Sequence, residues 1–193
     1  MTAADKVTSL RLILAPVFFI LYLLPQTNIY GFKNSPRLMA ILWILFLVIE
    51  LSDLLDGRIA RSRNEVGDFG KLFDPFADTL VRITYFLCFV ITGILPVIPF
   101  LVILYREFGI LFLRVLMMKK GIAMGARWGG KIKAVSYMIT GVACLCSVTA
   151  DCLGFDSLVT PLRLTAYIIF LVSMGISVIS FIDYVFVYQR ARK

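Results

Sequence analysis

The sequence predicts an all-α fold: a polytopic membrane protein of six transmembrane helices with both termini on the cytoplasmic side. Three observations carry this expectation. Of the 193 residues, 60% are hydrophobic and only 17% are charged. The mean hydropathy is +0.91. The apolar residues fall in six long runs separated by Pro- and Gly-containing breaks. A soluble core of this size cannot hide so much apolar surface, so lipid is the expected solvent for much of it. The same composition excludes a disordered chain.

A membrane-spanning helix needs about 17–25 apolar residues. The six runs cover residues 10–24, 38–55, 76–95, 97–118, 134–150 and 164–187. The first has Lys6 and Arg11 at its start, as a signal peptide would. It is followed by Leu24-Pro25-Gln26-Thr27-Asn28, which offers no small-residue cleavage site, so it reads as a permanent helix. Breaks fall at residues 25–36, at the Leu95-Pro96 step, at 121–130 and at 154–161. The short Leu95-Pro96 break makes runs three and four a tight antiparallel pair. None of the runs alternates as a barrel strand would, which leaves helices as the structure able to satisfy the backbone in lipid. Residues 1–193 leave no room for a second soluble domain and are read as a single membrane domain.

Most of the 20 basic residues lie at the N-terminus, in the 57–73 and 117–133 segments and in the C-terminal tail. This positive-inside bias puts those segments in the cytoplasm. The net charge of +8 thus flanks apolar runs, so anionic headgroups and phosphorylated small molecules are expected partners and nucleic acid is not. Arg82 and Arg106 stand inside apolar runs. The four cysteines form no CxxC pair and histidine is absent, so a Cys/His zinc site has little to be built from.

Charge at membrane depth is costly unless paired, hydrated or metal-bound. The chain nevertheless concentrates carboxylates between positions 53 and 78, as Asp53, Asp56, Asp74 and Asp78. Asp53 and Asp56 are three apart, with Gly57 and Ala60 extending their stripe. Gly70, Asp74 and Asp78 are spaced by fours along the next helix. A turn near residues 64–68 would set the two stripes face to face at the cytoplasmic surface. Gly57, Ala60 and Gly70 would leave room for a bulky ligand. Four converging carboxylates need cations. An all-oxygen donor set favours Mg²⁺ or Mn²⁺, and two such ions about 3.5–4 Å apart would clamp a diphosphate. Arg61 could hold phosphate oxygens.

The pattern Asp53-x2-Asp56-Gly57-x2-Ala60-Arg61-x8-Gly70-x3-Asp74-x3-Asp78 resembles the signature of the CDP-alcohol phosphotransferase family at every fixed position. The resemblance implies a six-helix membrane enzyme, commonly a homodimer, that displaces CMP from a CDP-alcohol with a second alcohol. It implies that Asp53, Asp56, Asp74 and Asp78 are metal ligands and that Asp78 is also the general base. It further implies that Gly57, Ala60, Arg61 and Gly70 line the CDP pocket.

Three more stretches resemble the bacterial phosphatidylglycerophosphate synthases within that family. Asp5-x2-Thr8-x2-Arg11-x4-Pro16 is similar to their opening motif, with Asp5 where Asn is usual. Arg106-Glu107-Phe108-Gly109, followed by Arg114, is similar to their fourth helix. Arg127-Trp128-Gly129-Gly130-Lys131-Ile132-Lys133 is similar to the stretch before their fifth, with Ala134 where Thr is usual. Gly67 stands where such synthases often carry a hydroxyl residue. This likeness implies that Thr8 contacts CDP and that Arg11, Arg106, Arg114, Lys131 and Lys133 bind a phosphate on the acceptor. CDP-diacylglycerol and glycerol 3-phosphate are then the expected substrates.

Arg106 calls for a buried anion. Glu107, turned about 100° away around the helix, is expected to be a poor partner for it. Lys131 and Lys133 are expected at the cytoplasmic rim. Ser173, Ser177 and Ser180 read as a packing seam, and Asp183 and Tyr184 as interfacial. Other acceptors within the family remain alternatives, as does a divalent-cation or phosphate transporter.

Overall fold

In a computed structural model, the backbone is described for residues 3–27, 35–63, 68–119 and 128–190, and side chains for residues 8–25, 35–52, 73–119 and 129–190. Six helices follow one another: α1 (Ala3–Leu23), α2 (Pro36–Arg63), α3 (Asp68–Ile91), α4 (Val97–Lys119), α5 (Trp128–Cys152) and α6 (Asp156–Arg190). A single 3₁₀ turn, Leu24–Thr27, extends α1, and no strand occurs among the described residues.

The helices run past the apolar stretches that predict them. α2 continues to Arg63 and α3 begins at Asp68, so the acidic motif lies on helices at both its ends. Apolarity stops where contact with lipid or core stops, whereas a helix stops where its backbone bonds are capped. Two tight connections show such a stop. Gly93, at φ 71°, and Gly154, at φ 75°, take the left-handed conformation that ends a helix cheaply only with glycine. The following amides then turn back, Ile94 N to Phe89 O at 2.9 Å and Phe155 N to Ala150 O at 2.9 Å. α3 and α4 are therefore an antiparallel hairpin, as are α5 and α6.

α1 packs along α2 and α3, α4 lies against α3 and α6, and α5 joins α6 while touching α2 and α3. The core between them is aromatic. Phe18 and Tyr22 from α1, Phe46 from α2, Tyr85, Phe86 and Phe89 from α3, and Phe170 from α6 are all buried. Gly141 makes the α2–α5 approach possible, since a Cβ there would lie 2.6 Å from the Phe46 ring.

Outward faces are apolar instead: Ile13, Ile44, Ile98, Phe112 and Ile179 are each at least 60% exposed. Among the described residues, Gly129–Cys152 and Asp156–Arg190 are long and apolar enough to cross a membrane, and Thr8–Leu23 is a shorter apolar helix. Association with a membrane follows from these faces, which water would not tolerate.

Candidate active site

At one end of the bundle, α3, α4, α5 and α6 enclose a cavity of about 410 Å³. Its walls follow from helical spacing. α3 presents Asp74, Asp78 and Arg82, and α4 presents Arg106, Ile110 and Arg114, in each case four residues apart and so on one face. α5 adds Gly130, Lys131, Lys133 and Ala134, and α6 adds Tyr184. Five cationic side chains thus share the lining with three carboxylates, Asp74, Asp78 and Glu107. Such a lining, partly open and strongly cationic on one side, attracts multivalent anions.

The acidic side is held from α1. Thr8 Oγ1 donates to Asp74 Oδ1 at 2.6 Å, and Arg11 donates to Asp78 Oδ1 at 2.5 Å. Arg11 also reaches Thr8 Oγ1 at 3.4 Å. Both α1 residues are buried, Thr8 completely. This placement bears on two expectations. Arg11 does not lie in the wall of the main cavity among the other presumed phosphate-binding cations; it grips Asp78 and borders a small hollow with Glu50 and Arg82. Thr8, expected to contact CDP, holds an aspartate. Thr8 and Arg11 are three residues apart and Asp74 and Asp78 four, each about one helical turn, so two packed helices can pair them one-to-one.

The cationic side is organised by Glu107. Lys133 Nζ lies 2.9 Å from each of its carboxylate oxygens. One Arg106 terminal nitrogen donates to Glu107 Oε1 at 2.9 Å, while Nε donates to Ser177 O at 2.9 Å and the other terminal nitrogen to Ser180 Oγ at 3.1 Å. The Tyr137 hydroxyl lies 3.1 Å from Glu107 Oε1 and 2.7 Å from Ser177 Oγ. All of these residues are buried. The expectation that Glu107 is a poor partner for Arg106 is therefore overturned. The helical offset separates the Cβ directions, but a long guanidinium side chain curls across it, and burial leaves the charge no water to turn to.

Lys133 is likewise not at the rim. It is 8% exposed and ion-paired, because α5 begins at Trp128 and carries it inward over more than a turn. Lys131, two residues earlier in α5, is exposed. Ser177 and Ser180 do more than pack, since they accept from Arg106 through a carbonyl and a hydroxyl. Tyr184, expected at the interface, is 2% exposed and faces the cavity, with the Arg114 guanidinium 6.0 Å above its ring.

Arg114 has an anion-seeking geometry. Its Nε is buried with no hydrogen-bond partner among the described residues, and one terminal nitrogen reaches the Tyr184 hydroxyl only at 3.5 Å. An orphaned buried donor facing a cavity is a place for an anion to bind.

Asp53, Asp56, Gly57, Ala60, Arg61 and Gly70 lie on described helices, but outside the residues whose side chains are described; Gly67 and Arg127 lie outside the described residues altogether. Among the described residues no three His, Cys, Asp or Glu side chains converge closely enough to hold a metal ion. What is described of the acidic stripe fits a hard divalent ion. Asp74 and Asp78 are one turn apart, both line the cavity, and both offer oxygen alone.

Sequence reasoning passed over Arg82, Glu107 and Tyr137 as site residues. Arg82 was signalled by spacing: it continues the Gly70, Asp74, Asp78 series by another four residues. Tyr137 stands four after Lys133 in the same way. Glu107 had no such spacing signal, only its place as a carboxylate in an apolar run within the Arg106-Glu107-Phe108-Gly109 motif.

Comparison with known proteins bears on this geometry. The family model described as CDP-alcohol phosphatidyltransferase matches residues 1–179. The chain is 44% identical over 141 residues to a CDP-diacylglycerol–glycerol-3-phosphate 3-phosphatidyltransferase from Treponema pallidum, a stretch covering 72% of this chain and 65% of that one. The chain thus spans just under two thirds of that relative's length. A protein of the same name from Bacillus subtilis is 32% identical over 145 residues, covering 73% of this chain and 75% of its own. A probable phosphatidylglycerophosphate synthase from Mycobacterium tuberculosis is 28% identical over 183 residues, covering 94% and 79% respectively.

Proposed function

The chain belongs to the CDP-alcohol phosphatidyltransferase family, and on that premise we propose that it transfers a phosphatidyl group from CDP-diacylglycerol to glycerol 3-phosphate, releasing CMP and forming phosphatidylglycerophosphate. The observation that carries the choice of acceptor is the cavity wall itself. Arg106 and Arg114 on α4 and Lys131 and Lys133 on α5 share a space of about 410 Å³ with Asp74, Asp78 and Arg82 on α3. A neutral alcohol such as inositol brings that wall no anion, and serine brings one carboxylate offset by its own ammonium, whereas a phosphate monoester brings an uncompensated multivalent anion.

Asp78 accepts the proton of the acceptor's primary hydroxyl. The oxygen forms a bond to the β-phosphorus of CDP-diacylglycerol while the bond from that phosphorus to the CMP oxygen breaks. CMP departs with the electron pair, and the proton on Asp78 passes to solvent. Arg11 fixes the orientation of the Asp78 carboxylate, and Thr8 does the same for Asp74. Arg114, with Lys131 at the mouth and Lys133 and Arg106 behind it, holds the acceptor's phosphate so that its hydroxyl points at α3. Asp53, Asp56, Asp74 and Asp78 would hold divalent ions, Mg²⁺ or Mn²⁺, which when bound supply charge neutralisation for the diphosphate. Gly57, Ala60, Arg61 and Gly70 line the CDP side.

The whole chain acts as one membrane domain of six spans, with both termini and the cavity at the cytoplasmic face of the cell membrane. It works there as a homodimer on a donor whose acyl chains stay in the bilayer. The exposed apolar faces of α1, α2 and α4 support this reading beside the two longest apolar helices. A transport path is disfavoured by the buried, close-packed rings of Phe86, Phe89 and Phe170 in the bundle core.

The test is a competition. Purified protein is given CDP-diacylglycerol, Mg²⁺ and equimolar glycerol 3-phosphate, inositol phosphate, serine and inositol. Phosphatidylglycerophosphate is expected as the dominant product, with one CMP released per molecule formed. A product made chiefly from another acceptor would overturn the assignment.

A further inference from the structure

The cations facing the acceptor differ in how they are held, and Glu107 accounts for the difference. Lys133 and Arg106 are buried donors whose contacts converge on one carboxylate, while Lys131 is exposed at the mouth. We propose that Glu107 is a positioning residue for acceptor recognition: its carboxylate sets Lys133 and Arg106 at fixed places in the cavity wall. This rests on the reading of the cavity as the acceptor site.

Lys133 Nζ sits symmetrically on both Glu107 oxygens, at 2.9 Å each, so the flexible four-carbon stem is confined to one geometry. Arg106 is fixed at three nitrogens, one on Glu107 and two on α6. Tyr137, four residues beyond Lys133, closes the arrangement from α5 to Ser177 on α6. The Lys133 ammonium also lies 5.2 Å from the Tyr137 ring centre. α4 and α5 thus meet on one carboxylate, and α6 joins them through Arg106 and Tyr137. A rigid pair of charges loses less freedom when an anion docks than a mobile pair does.

Two roles for Glu107 make opposite predictions. If it merely balances charge, removing its charge leaves the cavity more cationic, and the anionic acceptor binds as well or better. If it positions, the same change frees Lys133 and weakens acceptor binding despite the added positive charge.

The experiment measures steady-state kinetics of Glu107→Gln in detergent-solubilised full-length protein, with both substrates varied. Positioning predicts a KM for glycerol 3-phosphate raised roughly tenfold, the scale of one charge-assisted hydrogen bond, with the KM for CDP-diacylglycerol within twofold of the parent. Glu107→Asp, too short to span both cations, is expected to remain impaired. An unchanged or lowered acceptor KM in Glu107→Gln overturns the inference, as does a fall in kcat alone. If Glu107→Gln does not accumulate, Tyr137→Phe takes its place: a KM rise of about threefold supports positioning, and an unchanged KM refutes it. Failure of the parent protein to use glycerol 3-phosphate would instead refute the acceptor assignment, so the two outcomes stay separate.

Discussion

Two regions of the bundle, one centred on Phe86 and the other on Glu107, lie within a few helical turns of each other and are held by opposite means. Phe86 is fully buried and meets Tyr85, Tyr137 and Phe170 edge-on, at ring separations of 4.9, 5.2 and 5.2 Å. Its neighbours could exchange with others of similar volume at modest cost, because dispersion has little directionality. Around Glu107 the charged and hydrogen-bonding groups of Arg106, Lys133 and Tyr137 converge, and removing one partner strands another. The difference teaches where specificity resides. The aromatic region sets how the helices pack, and the polar region sets what the cavity accepts. Tyr137 belongs to both, its ring against Phe86 and its hydroxyl near Glu107.

Substitutions that separate packing from chemistry would sharpen this contrast. The largest effect is expected at Asp78→Asn. Loss of the proton acceptor should lower CMP release by about 10²–10⁴-fold per folded molecule, read by a CMP-release assay normalised to folded protein. Retained turnover would remove Asp78 as the base. Next comes Phe86→Ala, which should lower stability by about 3–5 kcal/mol through the void it leaves among three helices. Thermal unfolding in detergent would register it, and activity per folded molecule should fall far less than in Asp78→Asn. A Phe86→Ala protein as stable as its parent would show that the aromatic region does not hold the bundle.

Much of this division is legible in the sequence. Six apolar runs mark six helices, and the four-residue spacing of Asp74 and Asp78, like that of Arg106, Ile110 and Arg114, places charges on shared faces. What spacing does not convey is depth and reach. Lys133 reads as a rim residue because it adjoins a glycine-rich break, yet α5 starts early enough to carry it inside. Glu107 reads as facing away from Arg106 because helical geometry fixes Cβ directions and not where seven-atom side chains end. Arg11 reads as an anion ligand. The anion it meets in the structure is Asp78, a pairing that only the packing of α1 on α3 reveals. The helix ends were similarly opaque, since hydropathy fades at residue 55 while α2 continues to Arg63.

The central claim is that the cationic wall opposite α3 recognises a phosphate on the acceptor, and Arg114 tests it most directly because its buried Nε has no partner among the described residues. The measurement is the ratio of kcat/KM for glycerol 3-phosphate to that for glycerol, in the parent and in Arg114→Gln. The account predicts that the ratio falls about tenfold or more, the cost of one charged hydrogen bond, with the KM for CDP-diacylglycerol little altered. A ratio that survives the substitution intact would contradict it.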